Sequence, residues 1–478
     1  PQPDPIPGPP LAGPGPQAGP VGLVLTGGGA RAAYQAGALL GIRQILLESG
    51  WPARVNPFRI ITGTSAGALN ATAIAAGADD IFGAISRLSA LWGTVEPGQI
   101  YRADLAGAAG NALRWVGSLG LGWLVRQSPR AMFDNSPLES LLMRTIDFDR
   151  LQKNLRQGEL DSLAIEASSY TSGHHITFYQ SREALAPWVR SRRLAYPTTI
   201  GVRHLMASAA LPFLFPAIAL PVEGQDEFCG DGSMRQMTPT SPAVHLGAHR
   251  ILVIGAAQLP TAVAAPGAGA GRGAPTISEP VDGSAGSGSP VERRRSDRRH
   301  QPRDTRDRRQ GPAATAASAA SAASPSPASH GSDGSTGREI GDEGRPCTAY
   351  PSLAQVGSHV LASIFFDALA SDLERIQRIN RTLALMPPAV RAQSSLRVID
   401  TLVIAPSRPL DQLARAQLDQ LPGTVRALLR VAGASREGGA GIASYLLFDR
   451  SYTRRLIALG RRDALDQAER IRAFFSPT

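Results

Sequence analysis

Apolar residues recur along this chain in two rhythms. Residues 21–26, 58–62, 163–168, 176–179 and 251–255 are short apolar runs of strand length. Between the first two, residues 31–48 place Leu39, Ile42 and Leu46 at helical spacing, with Gly50 as the stop. Strands alternating with helices predict an α/β fold with a mainly parallel central sheet. A second block opens with Val356, Val360, Ile364, Leu373, Ile376 and Leu383, helical in period and ended by Pro387 and Pro388. A strand follows over 396–404, and the rest through Phe475 reads as several short helices.

Two stretches carry neither rhythm. Residues 1–20 hold nine prolines and no apolar run of the signal-peptide kind, which predicts an extended, solvated tail. Residues 259–349 lack any Phe, Trp or Tyr and are dominated by Ala, Gly, Ser and Pro. Such a stretch buries too little apolar surface to offset its ordering entropy, so it reads as a disordered insertion. The predicted organisation is therefore a tail (1–20), an α/β core (21–258), the insertion (259–349) and a helical C-terminal part packed on the core (350–478).

Composition narrows the functional classes. A hydrophobic content of 43% over 478 residues supports a large core and excludes wholesale disorder. Two cysteines, Cys229 and Cys347, are read as too few for a disulfide framework or a four-ligand zinc site. The apolar stretches fall short of the roughly 18–20 residues a bilayer span requires. The net charge of +10 is carried almost wholly by arginine, Lys153 being the one lysine. Nine arginines against four acids in residues 291–310 could grip RNA or anionic lipid. The interleaved acids and the lack of stacking aromatics favour a solvated linker, so no nucleic-acid partner is predicted. Residues 105–125, apolar and glycine-rich with Trp115 and Trp123, could pack in the core or lie at a lipid surface as a cap.

Three motifs carry chemistry. Gly63-Thr64-Ser65-Ala66-Gly67 follows a strand and opens a small-residue helix. A serine on such a turn presents its hydroxyl at the carboxyl edge of the sheet, and the glycines permit the tight backbone, so this is a nucleophile elbow. Gly27-Gly28-Gly29-Ala30-Arg31 also links a strand to a helix, and its unobstructed backbone N–H groups suit an anion or a developing oxyanion. The same glycines fit a dinucleotide fingerprint, but the acid which that reading needs on the second strand is missing, the nearest being Glu48 at a helix end. Gly230-Asp231-Gly232-Ser233 alone would be a turn. Among the eight histidines, His245 and His249 stand in the right order for a Ser-His-Asp triad, though a surface or capping role suits them better. His174 and His175 show no metal-ligand spacing.

A triple-glycine loop on the first strand, a serine elbow on the next and a downstream Asp-Gly together resemble the patatin-like phospholipases. Residues 133–138 (FDNSPL) and 207–213 (ASAALPF) are similar to segments of bacterial members, as are 372–375 (DLER) and 378–380 (RIN). The chain departs at Ala32, where the family's loop often has Gly, and at Ser233, where Gly or Ala is usual. The resemblance implies a three-layer α/β/α fold and a Ser–Asp dyad of Ser65 and Asp231, with no histidine, metal or cofactor. Gly27, Gly28 and Gly29 would form the oxyanion hole, with Arg31 adding charge or bracing the loop, and Gly63 and Gly67 would shape the elbow. The expected activity is release of fatty acid from phospholipid or lysophospholipid esters through an acyl-serine, in a cytoplasmic or peripheral membrane enzyme. Two alternatives remain: a triacylglycerol lipase or thioesterase of the same fold, and a non-catalytic scaffold binding membrane or nucleic acid.

Overall fold

The computed structural model describes residues 19–102, 131–235, 239–258, 353–423, 425–427 and 440–476. The proline-rich tail up to residue 18, the 105–125 segment with its two tryptophans and the 259–349 insertion lie outside the described residues.

In chain order the elements begin with β1 (Val21–Leu25), a 3₁₀ turn (Gly29–Ala32), α1 (Ala33–Glu48), β2 (Ile60–Thr64), α2 (Ala66–Ala76) and α3 (Ile81–Trp92). After them come α4 (Ser136–Thr145), α5 (Phe148–Gln157), β3 (Ser162–Ser169), β4 (His175–Ser181), β5 (Val189–Arg190), β6 (Arg193–Pro197) and α6 (Val202–Ser208). Next are β7 (Ile218–Val222), β8 (Gln225–Asp231), α7 (Ser241–His245) and β9 (Arg250–Ile254). The C-terminal block supplies α8 (Leu353–Leu385), α9 (Pro388–Gln393), β10 (Asp400–Ile404), α10 (Leu410–Arg415), α11 (Ala440–Leu446), α12 (Arg450–Leu465) and α13 (Ala468–Phe475).

The sheet runs β10-β9-β1-β2-β3-β4-β6-β5, with β8 paired to β3 and β7 to β8. From β10 to β3 all neighbours are parallel. Beyond β3 the sheet is mixed, since β3–β4, β3–β8, β7–β8 and β5–β6 are antiparallel. Parallel pairing thus runs unbroken through one half and recurs at β4–β6 in the other, within a mixed sheet. The other half is built from short hairpins joined by the parallel β4–β6 pair; β4 stands out as the apolar run 176–179, whereas β5, β6, β7 and β8 are absent from the strands predicted above. β10 is also shorter than its apolar pattern predicts: Leu396 and Val398 are exposed, and pairing with β9 begins at Asp400↔Arg250.

Helices cover both faces, and the alternation of side chains along a strand decides which helices each residue meets. Leu23 and Leu25 pack with Ile61, Leu252, Ile254, Leu402 and Ile404 beneath α1, α2, α3 and α12. Val24, one position off, joins Ile251, Val253 and Ile60 against Leu369, Leu373 and Ile376 of α8. α12 lies along α1, where the Tyr34 hydroxyl donates to Asp463 Oδ2 at 2.9 Å. Among the described residues no helix is long and apolar enough to cross a membrane.

Register brings the serine elbow and the Asp-Gly motif together. β2 occupies the edge of β3 from Ile60↔Ser162 to Thr64↔Glu166. β8 takes the same edge from the next residue onward, with Asp231 opposite Ala167. One strand arrives from below and ends at Ser65; the other descends from above and ends at Asp231. The two chain ends therefore meet at a single point beside β3.

Candidate active site

At that junction the Ser65 hydroxyl donates to Asp231 Oδ2 at 2.6 Å, and both residues are buried. Ser65 has φ 54° and ψ −131°, a left-handed conformation that a residue with a side chain adopts only where its surroundings impose it. The surroundings here are tight. A Cβ on Gly67 would lie 2.2 Å from the Leu25 carbonyl oxygen, so only glycine lets the first turn of α2 rest on the end of β1. The Ser65 N–H donates to Ser208 Oγ at 2.9 Å, and the Ser208 hydroxyl donates in turn to the Glu166 carbonyl at 2.7 Å. The turn is thereby tied to both α6 and β3.

Asp231 is fixed from its other side. Its N–H donates to the Ala210 carbonyl at 2.9 Å, and its Oδ1 accepts the Ser233 N–H at 2.9 Å. A Cβ on Gly232 would fall 2.2 Å from the Glu166 carbonyl oxygen, which accounts for glycine after the aspartate. Burial pushes the Asp231 carboxyl up to about 6, although the bonds from Ser65 and Ser233 pull it back towards the ordinary range. A carboxylate with that value is mostly ionised at neutral pH yet far more basic than one in water.

The glycine loop follows β1. Gly29, at φ 54°, borders the same cavity as Ser65, whereas Gly28 packs against Ala256. A Cβ on Gly29 would sit 2.4 Å from the Tyr445 carbonyl oxygen of α11. Arg31 is turned towards that same helix: its Nε donates to Ser444 Oγ at 2.7 Å and its guanidinium lies 4.3 Å from the centre of the Tyr445 ring. These contacts tie the loop to the C-terminal block. The helices behind the two loops are laced together by Asn70, which donates to the Ala32 carbonyl and to Gln35 Oε1 and accepts from Trp92 Nε1 at 2.8 Å.

In front of Ser65 lies a cavity of about 490 Å³, within the range of small-molecule pockets. Its wall is overwhelmingly apolar, formed by α2, α3 and α4 together with Leu211, Phe215 and Phe448. Trp92 and Phe448, both in the wall, stack with ring centroids 6.2 Å apart.

His174, His175, His245 and His249 stand elsewhere. His245 stacks on Trp188 at 4.8 Å, and the backbone N–H of His249 donates to the Pro20 carbonyl. Burial and the nearby Arg190, Arg193 and Arg397 hold His245 below its ordinary range. Among the described residues, the hydrogen bonds to the Asp231 carboxylate come from Ser65 and Ser233. His174 is half-buried in the turn before β4, and His175 hydrogen-bonds Glu166 Oε1 at 3.0 Å. No cluster of potential metal ligands exists among the described residues.

Several contributors escaped the sequence. Ser208 sits inside the 207–213 segment singled out above, but nothing in that segment says that its hydroxyl holds the elbow amide. Ser444, Tyr445 and Phe448 come from a region with no motif at all.

Residues 23–244 match the family of patatin-like phospholipases. No curated protein matches the sequence. Among solved structures, VipD from Legionella pneumophila is similar over 50% of this chain at 15% identity with a TM-score of 0.26; the chain spans about half (51%) of that protein's length.

Proposed function

Residues 23–244 are a patatin-like phospholipase domain, a domain of lipid acyl hydrolases, and from this premise we propose that the chain releases fatty acid from phospholipid or lysophospholipid esters with Ser65 as nucleophile and Asp231 as base. The observation that carries the proposal is the 2.6 Å bond from the Ser65 hydroxyl to a fully buried carboxylate, at the edge of an apolar cavity.

Asp231 takes the hydroxyl proton as Ser65 Oγ attacks the ester carbonyl carbon. The tetrahedral oxyanion is stabilised by backbone N–H groups of Gly27, Gly28 and Gly29, with Gly29 nearest the cavity. The N–H of Ala66, directly after the nucleophile at the start of α2, is a further donor. When the intermediate collapses, the C–O bond to the glycerol oxygen breaks and Asp231 returns its proton to that leaving alcohol. An acyl-serine remains, with the chain in the apolar cavity. Water then gives a proton to Asp231 and attacks the acyl carbon, and the bond to Ser65 Oγ breaks as the proton returns to the serine. Partial basicity from burial and oxyanion stabilisation replace the histidine of a triad. Arg31 acts by holding the glycine loop against α11.

The test is fatty-acid release from phosphatidylcholine and lysophosphatidylcholine vesicles by the full chain and by Asp231→Asn. Release by the parent and a loss of at least a thousandfold in the variant are expected. A folded parent that releases no fatty acid from either lipid would overturn the substrate class.

A further inference from the structure

Ser233 is one of the two places where the chain departs from the motifs it otherwise resembles, a hydroxyl standing where glycine or alanine is usual. It belongs to the short 3₁₀ helix Gly232–Arg235 that follows β8, and it is 2% exposed. Its N–H donates to Asp231 Oδ1 at 2.9 Å, which anchors the residue beside the carboxylate. The hydroxyl of the same residue is unspent: Ser233 Oγ is buried and forms no hydrogen bond of regular geometry among the described residues. A donor taken out of water without a partner costs stability, so such a group calls for an explanation. It lies close enough to Asp231 to favour the ionised carboxyl.

We propose that the Ser233 hydroxyl is a second donor to Asp231, engaged in the acyl-enzyme, where it positions the carboxylate for deacylation. The proposal rests on the acyl-transfer reading of the same site. In the resting site Asp231 Oδ2 accepts from the Ser65 hydroxyl. Acylation turns Ser65 Oγ into an ester oxygen with no proton to give, and Asp231 passes the proton it took to the leaving alcohol. A buried carboxylate is then charged and one donor short, at the moment when it must accept a proton from water. Rotation of the Ser233 hydroxyl about its own bonds brings its proton to that carboxylate. No bond forms or breaks at Ser233; its proton stays on its oxygen while the proton of water goes to Asp231. Ser65 and Ser233 thus donate in turn, one before acylation and the other after it.

The lifetime of the acyl-serine tests this. The full chain, Ser233→Ala and Ser233→Gly are each mixed with limiting p-nitrophenyl butanoate, quenched in acid at intervals and read by intact mass over a range of pH. Loss of the acyl group should slow about ten- to a hundredfold in both variants, the worth of a hydrogen bond to a charged group. Fluorophosphonate labelling of Ser65, which needs no acyl-enzyme, should stay within about threefold of the parent and so reports an intact site. The acid limb of deacylation should also move to higher pH, because the carboxylate has lost a donor that favours its charge. An acyl-serine lost as fast from the variants as from the parent, an unmoved acid limb, or labelling slowed as much as deacylation overturns the role of Ser233 and leaves the hydrolase intact. A folded parent that neither labels nor hydrolyses the ester overturns the acyl-transfer reading itself.

Discussion

Thr64 and Ser65 are consecutive, and each hydroxyl donates at 2.6 Å to a buried carboxylate, Thr64 to Glu166 and Ser65 to Asp231. By distance and burial the two pairs are nearly the same object. They differ in what surrounds them. Thr64 is still in the strand, and its side chain points to the face where Glu166 also accepts from or donates to His175 across β3 and β4. Ser65 has left the strand with φ 54°, which swings its hydroxyl to the cavity and places it against a carboxylate held by backbone. A hydroxyl–carboxylate pair is thus structural cement in one setting and a candidate nucleophile–base pair in the other. Access to an apolar cavity and nearby backbone donors separate them, not the hydrogen bond itself.

The sharpest way to break this comparison is to remove one hydroxyl at a time. Ser65→Ala should lower ester hydrolysis by roughly 10⁴-fold or more, and Asp231→Asn by 10³–10⁴, since members of such a unit fail together. Comparable activity in Ser65→Ala, measured by fatty-acid release, would erase the distinction. Gly29→Val tests the loop that only the Ser65 side possesses. A side chain at φ 54° and against the Tyr445 carbonyl displaces the donors, and a loss of about 10²–10³ in kcat is expected with a smaller change in KM.

A third test uses pH. The Asp231 carboxyl is raised to about 6 by burial, and the ionised form is the base, so kcat/KM should fall tenfold per unit as pH drops below about 6 and be level above it. A profile flat down to pH 4.5 would deny Asp231 that role. The smallest effect belongs to the other pair. Thr64→Val leaves the Glu166 carboxylate short of one partner and should cost about 1–3 kcal/mol in urea unfolding, with kcat within tenfold of the parent.

Much of this was legible because it is written in local chemistry. The strands β1, β2 and β9 are apolar runs, and α1 announces itself by Leu39, Ile42 and Leu46. The elbow, the glycine loop and the Asp-Gly pair each require glycine at defined places, so they leave a mark in sequence even without an alignment. In the other half of the sheet β4 was legible as the apolar run 176–179, but β8 was not: it carries Asp226 and Glu227 in a seven-residue strand and owes its place to pairing with β7 and β3. Contacts between distant segments were equally silent. Arg31 and Ser444 lie 413 residues apart, and a serine near the C-terminus bears no sign that it will brace a loop near the start. The Thr64–Glu166 pair could not be told from the Ser65–Asp231 pair by residue type, because only the fold decides which of them meets the cavity.

The most direct measurement is the mass and position of a fluorophosphonate adduct on the intact protein, mapped by peptide fragmentation in the parent, Thr64→Val and Asp231→Asn. One adduct on Ser65 in the parent and in Thr64→Val, with labelling at least a thousandfold slower in Asp231→Asn, is the predicted result. An adduct on another residue, or equal labelling rates in parent and Asp231→Asn, would contradict the assignment of Ser65 and Asp231 as the working pair.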